Sequence, residues 1–208
     1  MSRYVITIGR QYGSAGREIG FKLAEKLGIK CYDNELLKVA AKESGLCEQI
    51  FEAHDEKPTQ SFLYSLVMDT YSFGYNNTGF VDMPISHKVF LAQFDAIKKI
   101  ADTQSCIIVG RCGDYALENY KNVLTVFIHA DMKHRVERIK ERRDIKKDSD
   151  AKDVIIKTDK KRASYYNYYT NKKWGEAKGY DLCINSSMFG VDGTVDFLAD
   201  VAKRRFGN

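Results

Sequence analysis

The sequence predicts an α/β fold, a parallel sheet of about five strands with helices on both faces. Three observations carry this. The chain opens on a β-branched run, Tyr4-Val-Ile-Thr-Ile8, bounded by glycine. Two later runs, Cys106–Val109 and Val123–His129, are continuously apolar, the pattern of strands covered on both faces. These runs alternate with stretches of helical apolar spacing, and a right-handed crossover between parallel strands needs a helix between them.

Taken in order, a Gly/Ser loop follows the first strand and leads into a helix from Arg17 to Leu27. Its apolar positions are Ile19, Leu23, Ala24 and Leu27, and Gly28 closes it. Ile29 to Tyr32 is a short second strand. Asp33 or Asn34 can then cap a helix carrying Leu36, Leu37, Ala40 and Ala41. The stretch from about Cys47 to Pro84 reads as helices plus a loop, with aromatics at Phe62, Tyr64, Tyr71, Phe73 and Tyr75 and a polar turn at Asn76 to Gly79. Helical spacing returns from Ile85 to Ala101. A turn and short helix, Asp114 to Tyr120, separate the two apolar runs. Asp131 to Arg143 is a helix with a basic face, and Asp150 to Lys173 is charged and Tyr-rich. Leu182 to Asn185 is a last strand. Gly193 to Phe206 is a terminal amphipathic helix with Val195, Leu198, Ala199 and Ala202 on one side.

The chain's 208 residues suffice for one domain with a sizeable core. With 44% hydrophobic and 29% charged residues it reads as neither a disordered tail nor a membrane protein. No apolar stretch approaches a membrane span, and Met1 to Gly9 lacks the layout of a signal peptide. Five scattered cysteines (Cys31, Cys47, Cys106, Cys112, Cys183) form no CxxC pair. They imply reduced thiols in a cytoplasm, with Cys106 and Cys183 expected in the core. His54, His87, His129 and His134 are too dispersed for a metal site. The net charge is +5, and the basic residues concentrate between Lys133 and Lys173. A pocket for a polyanionic nucleotide or a nucleic-acid surface would each recruit such residues.

In parallel sheets ligands bind beyond the carboxyl ends of the strands. That directs attention to Gly9 to Arg17, Asp33, Gly110 to Asp114, Asp131, and Asn185 to Ser187. The strongest constellation is Gly9-Arg-Gln-Tyr-Gly-Ser-Ala-Gly-Arg17, between a strand and a helix. Its glycines let successive backbone N–H groups curl toward a phosphate, and the helix N-terminus adds its dipole. Arg17 sits where a P-loop lysine would. The strict pattern GxxxxGK[ST] is not met: arginine replaces lysine, and Glu18 takes the place of the magnesium-binding hydroxyl. The plainer alternative is a glycine-rich turn with Arg17 solvated; the loop's place after the first strand favours binding.

Five segments resemble the cytidylate-kinase-like family, a branch of the nucleoside monophosphate kinases. They are ITIGRQYGSAGREIG with its continuation KLAEKLGIKCYDNEL, then IIVGRCGDYAL, TVFIHADMKHRVERI, and DKKRASYYNYYTNKKWGEAKGYDLCINSS. The resemblance implies a three-layer P-loop NTPase fold over residues 1–208, with an acceptor-binding helical insertion at roughly 34–102 and a helical lid at roughly 140–175. It implies ATP and Mg2+ as cofactors, with transfer of a phosphoryl group to a nucleoside monophosphate, CMP or dCMP. The donor would bind on Gly13, Ser14, Ala15, Gly16, Arg17 and Glu18. Arg17, Arg162 and Asp33 would be catalytic, and Arg111, Asp114 and Asp159 would bind the acceptor.

Two readings of Asp33 stand: orientation of magnesium-bound water or of the acceptor, or a helix N-cap. Arg111, at a buried strand end, would be costly without an anion, which favours phosphate binding. The family aspartate beside it is here Cys112, so Asp114 either substitutes or caps a helix. Arg162 matches the lid arginine pattern, with Asp159 expected to orient it. Arg135, Arg138 and Arg142 share a helical face, and Tyr165, Tyr166, Tyr168 and Tyr169 are expected to pack the lid helix on the domain. The expected partners are small-molecule nucleotides, with neither nucleic acid nor membrane. The altered Arg17-Glu18 pair sets up the rival reading, a catalytically silent nucleotide-binding or sensor module.

Overall fold

Every strand of the sheet runs parallel to its neighbours, in the order β2-β3-β1-β4-β5. The computed structural model describes residues 3–45, 49–50 and 85–207. Along the chain these give β1 (Val5–Arg10), α1 (Gly16–Leu27), β2 (Lys30–Tyr32), α2 (Glu35–Ser44), α3 (Ile85–Thr103), β3 (Cys106–Val109) and α4 (Gly113–Ala116). They continue with β4 (Val123–His129), α5 (Met132–Arg143), α6 (Asp148–Thr170), a 3-10 turn (Ala177–Gly179), β5 (Leu182–Asn185) and α7 (Ser186–Phe206). The helices and loop expected between Cys47 and Pro84 lie outside the described residues.

The apolar runs are continuous because both faces of the central strands are covered. Side chains alternate across a strand. Ile6, Ile8, Ile107, Val109, Leu124, Val126 and Ile128 therefore meet Ile19 and Leu23 of α1 and Leu198 and Ala199 of α7 on one face. Val5, Cys106, Ile108 and Val123 meet Leu36 of α2 and Ala96, Ile97 and Ile100 of α3 on the other. Each fully buried isoleucine or leucine here contributes roughly 1.5–3 kcal/mol. This burial holds the strand ends, and hence the loops beyond them, in fixed register.

Several details depart from the sequence reading. Cys183 is exposed, not in the core. It lies on β5, an edge strand whose buried face is taken by Ile184, so the alternation turns Cys183 outward. The helix expected from Asp114 to Tyr120 is a single turn, Gly113–Ala116. The last helix begins at Ser186, where the Asn185 side chain accepts from the Ser187 N–H as an N-cap. Gly190, at φ 68° and ψ −176°, breaks it into two pieces, so the amphipathic pattern surfaces only beyond it. The charged Asp150 to Lys173 segment is one helix, α6, as far as Thr170, where Asn171 caps it. No helix among the described residues is long and apolar enough to cross a membrane.

Candidate active site

The loop after β1, the end of β2, the turn after β3 and the helices α5 and α6 surround a cleft of about 770 Å³. Six arginines line it: Arg10, Arg17, Arg111, Arg138, Arg142 and Arg162. Three carboxylates, Glu18, Asp33 and Glu141, oppose them, leaving an excess of three positive charges. Such a charge balance attracts polyanions.

Asp33 is the hub of its floor. Its Oδ2 lies 2.6 Å from Arg17 Nε and its Oδ1 3.0 Å from Arg111 Nη1. The residue is 5% exposed, so one desolvated carboxylate is shared by two guanidinium groups. The N-cap position of α2 is Asn34, which makes no side-chain cap bond. Asn34 instead accepts from Arg111 Nη2 at 3.3 Å. Arg111 Nη1 also donates to the Val109 carbonyl. Gly110, Arg111 and Cys112 all take positive φ, at 80°, 52° and 54°. For the two non-glycine residues this left-handed backbone costs about 1–2 kcal/mol each. Buried partners over-determine Arg111, and strain of this kind concentrates at functional sites.

The loop itself divides. Gly13, Ala15, Arg17 and Glu18 line the cleft, whereas Ser14 and Gly16 sit beneath it. Ser14 Oγ donates to the Gln11 carbonyl, and the Ser14 carbonyl accepts from Ser186 Oγ at 2.8 Å. Ala15 takes φ 62° to turn the chain into α1, whose N-terminal end carries no side-chain cap. Its first N–H groups are therefore of the kind that bind anions. A Cβ at Gly16 would come within 2.5 Å of Arg10 Cβ, so only glycine lets Arg10 pass. Glu18 turns to α5, accepting from Arg138 Nη1 at 2.9 Å, with Lys22 3.8 Å away.

Arg162 reaches the cleft from α6, donating to the Arg10 carbonyl at 3.3 Å and lying 5.5 Å over the Tyr12 ring. Asp159 lines neither the cleft nor the smaller chamber beside it. Its oxygens accept from the Tyr12 N–H at 2.7 Å and from Arg135 Nη2. Asp114 also stays off the main cleft. It borders the smaller chamber with Arg10, Arg111 and Arg162, and accepts from Tyr166 Oη at 2.5 Å. Burial pushes the Asp114 carboxyl above the ordinary carboxylate range, and the same burial with the adjacent Asp114 pushes the Tyr166 phenol up. The tyrosines of α6 pack as expected: Tyr165 and Tyr166 are buried beside Phe90 and Cys112, and Tyr169 stacks on Phe90 at 4.0 Å. Tyr168 stacks on His87 and meets its Nε2 at 2.7 Å. Among the described residues no His, Cys, Asp and Glu group forms a metal cluster.

Sequence reasoning gave no site role to Arg10 and Tyr12, and read Asn34 only as a candidate helix cap. Arg10 and Tyr12 belong to the loop motif itself, but their partners lie more than a hundred residues away. Arg135, Arg138 and Arg142 do share one helical face. That face meets the loop, and Arg135 is only 4% exposed.

A parallel sheet with a glycine-bearing loop between β1 and α1, and arginines closing over it from the helices beyond β4, defines the P-loop kinase class. The chain belongs to the cytidylate kinase-like family, which matches residues 5–188. It is similar to the crystal structure of an uncharacterized protein from Eubacterium ventriosum, with 27% identity and a TM-score of 0.72 over 98% of this chain and 100% of that one. Shikimate kinase from Bacteroides thetaiotaomicron shares the fold at 13% identity, with a TM-score of 0.53 over 97% and 99% of the two chains. No curated protein matches the chain.

Proposed function

We propose that the protein transfers the γ-phosphoryl group of ATP to a nucleoside monophosphate, CMP or dCMP. The observation that carries this is Asp33, which ties the donor-loop Arg17 to Arg111, on the turn after β3, across one cleft. Both Asp33 oxygens face a guanidinium, so the carboxylate is placed to hold cations rather than to reach an acceptor. A monophosphate acceptor needs no base, because its attacking oxygen is already ionised. That oxygen bonds to the γ-phosphorus while the bond to the β,γ-bridging oxygen breaks, and the electron pair leaves with ADP. Such a reaction asks for positioning and charge neutralisation. Arg17 and the N-terminus of α1 hold the donor phosphates, Arg111 grips the acceptor phosphate, and Arg162 meets the charge on the transferring group. Asp33 keeps Arg17 and Arg111 at a fixed separation.

Magnesium, where the donor nucleotide brings it, would supply further neutralisation. A hard cation of this kind takes one or two carboxylates and otherwise phosphate and water; Asp33 has both oxygens on guanidinium groups, which leaves Glu18 and Glu141 as the cleft carboxylates that could meet it through water. The choice of CMP or dCMP rests on the resemblance over the Gly110-Arg111 and lid segments.

The test is ADP formation with ATP, magnesium and each monophosphate in turn; CMP or dCMP is expected to exceed AMP and GMP. Glu18 supports a second reading, a silent nucleotide-binding module, because the residue in the usual hydroxyl position is engaged by Arg138. Nucleotide binding with no ADP above the water-only rate for any acceptor would establish that reading instead.

A further inference from the structure

The first half of the phosphate loop is held by residues that line neither cavity. Asp159 accepts from the Tyr12 N–H at 2.7 Å, and its other oxygen pairs with Arg135. Arg135 Nε donates to the Tyr12 carbonyl at 2.8 Å. One ion pair therefore takes both backbone polar groups of Tyr12. Its side chains are 18% and 4% exposed, so separating it leaves a desolvated charge on either side. The Tyr12 ring lies between two cations, 5.6 Å from Arg143 and 5.5 Å from Arg162. The next residue, Gly13, takes φ 83°, and a Cβ there would stand 3.1 Å from the Arg135 carbonyl, so the loop rests directly on α5.

We propose that Asp159 is a positioning residue. Through Arg135 and the Tyr12 amide it fixes the loop to α5 and α6, and so holds Arg162 at the cleft before any nucleotide arrives. This differs from the acceptor contact that the family resemblance implies for this aspartate. Arg162 follows Asp159 by one turn of α6 and donates to the Arg10 carbonyl, two residues ahead of Tyr12. Fixing one therefore places the other. A loop and an arginine set in advance need no ordering when ligand binds, which benefits both affinity and transition-state stabilisation. Only the use made of Arg162 rests on the proposed function; the clamp is defined by its own bonds.

Amide-resolved hydrogen exchange on the ligand-free protein tests the clamp without any activity. The Tyr12 amide is expected to exchange roughly 10- to 100-fold more slowly than the Ala15 amide beside the cleft. Asp159→Asn is expected to speed it about tenfold or more while the amides of β1 stay protected. A Tyr12 amide that exchanges freely until ADP is added, or that Asp159→Asn leaves unchanged, overturns the proposal. The wild-type measurement decides even if the variant does not fold. A double-mutant cycle on turnover gives a readout that a purely structural role would not move. Arg162→Ala should lower kcat several-fold less in the Asp159→Asn background than in the wild type, since the arginine is already displaced there. Strictly additive effects overturn the coupling. Absence of turnover with any acceptor would refute the kinase reading and leave the exchange result to decide the clamp.

Discussion

Two arginine–aspartate clusters flank the phosphate loop, and they use the same chemistry to opposite ends. At the open side Asp33 is buried, but Arg17 has half of its side chain exposed and faces the cleft. At the closed side Arg135 is sealed beneath Tyr12 with Asp159. Position relative to the cleft separates them: Arg17 and Arg111 line it, whereas Arg135 lines neither cavity. A guanidinium on the cleft wall can exchange part of its pairing for a phosphate, whereas one behind the wall, with its donors committed to protein, holds shape. On the proposed function the loop then divides into a docking half, Arg10 to Tyr12, and a ligand half, Gly13 to Arg17.

On that division the largest stability loss belongs to the sealed cluster, since at the open one Asp33 keeps Arg17 when Arg111 is removed. Arg135→Ala leaves Asp159 desolvated and removes the donor to Tyr12, and should cost about 3–5 kcal/mol in urea denaturation. A loss under about 1 kcal/mol would erase the distinction between the clusters. Arg111→Ala, at the open cluster, should raise the acceptor KM about 10- to 100-fold, the worth of a charge-assisted hydrogen bond. Arg162→Ala should instead act mainly on kcat. Equal effects of both changes on KM alone would show that the two arginines do the same work.

A smaller effect is expected at Asp114, which belongs to neither cluster. Its folded pKa is raised by burial, so the native state holds the proton to higher pH than the unfolded chain does. This contribution is full below the ordinary carboxylate range and is lost as pH rises through the folded value. Asp114→Asn keeps an acceptor for Tyr166 and should flatten that fall. The variant should therefore gain stability relative to wild type between pH 4 and pH 8, read by denaturation at both. Glu18→Ala should change least: its pair with Arg138 is largely exposed and contributes about 0–1 kcal/mol. Unchanged magnesium dependence would mark Glu18 as a structural partner, and a raised requirement would make it a metal residue.

The ligand half was legible in the sequence and the docking half was not. Glycines and Arg17 advertise a phosphate loop because their spacing is local. Nothing near Tyr12 announces that Asp159, 147 residues away, takes its N–H. The strands β3, β4 and β5 were legible to the residue because burial on both faces, or tight bounding turns, leaves an uninterrupted apolar signature. Cys183 misled because an apolar run on an edge strand need not be buried on both sides. Asp33 could be read as either cap or site residue; the structure puts Asn34 at the cap position and gives Asp33 two guanidinium partners. The start of α7 was hidden by Gly190, which breaks the helical period between the Asn185 cap and the amphipathic stretch.

The central claim, that the ligand half cradles nucleotide phosphates, is tested most directly by calorimetric titration of ATP into the wild type and Arg17→Ala. Loss of a half-exposed guanidinium from a phosphate site should weaken binding about 10- to 100-fold. The melting temperature should change little, because Asp33 keeps its bond to Arg111. ATP binding left intact in Arg17→Ala would contradict the account, since the loop would then not be the phosphate cradle.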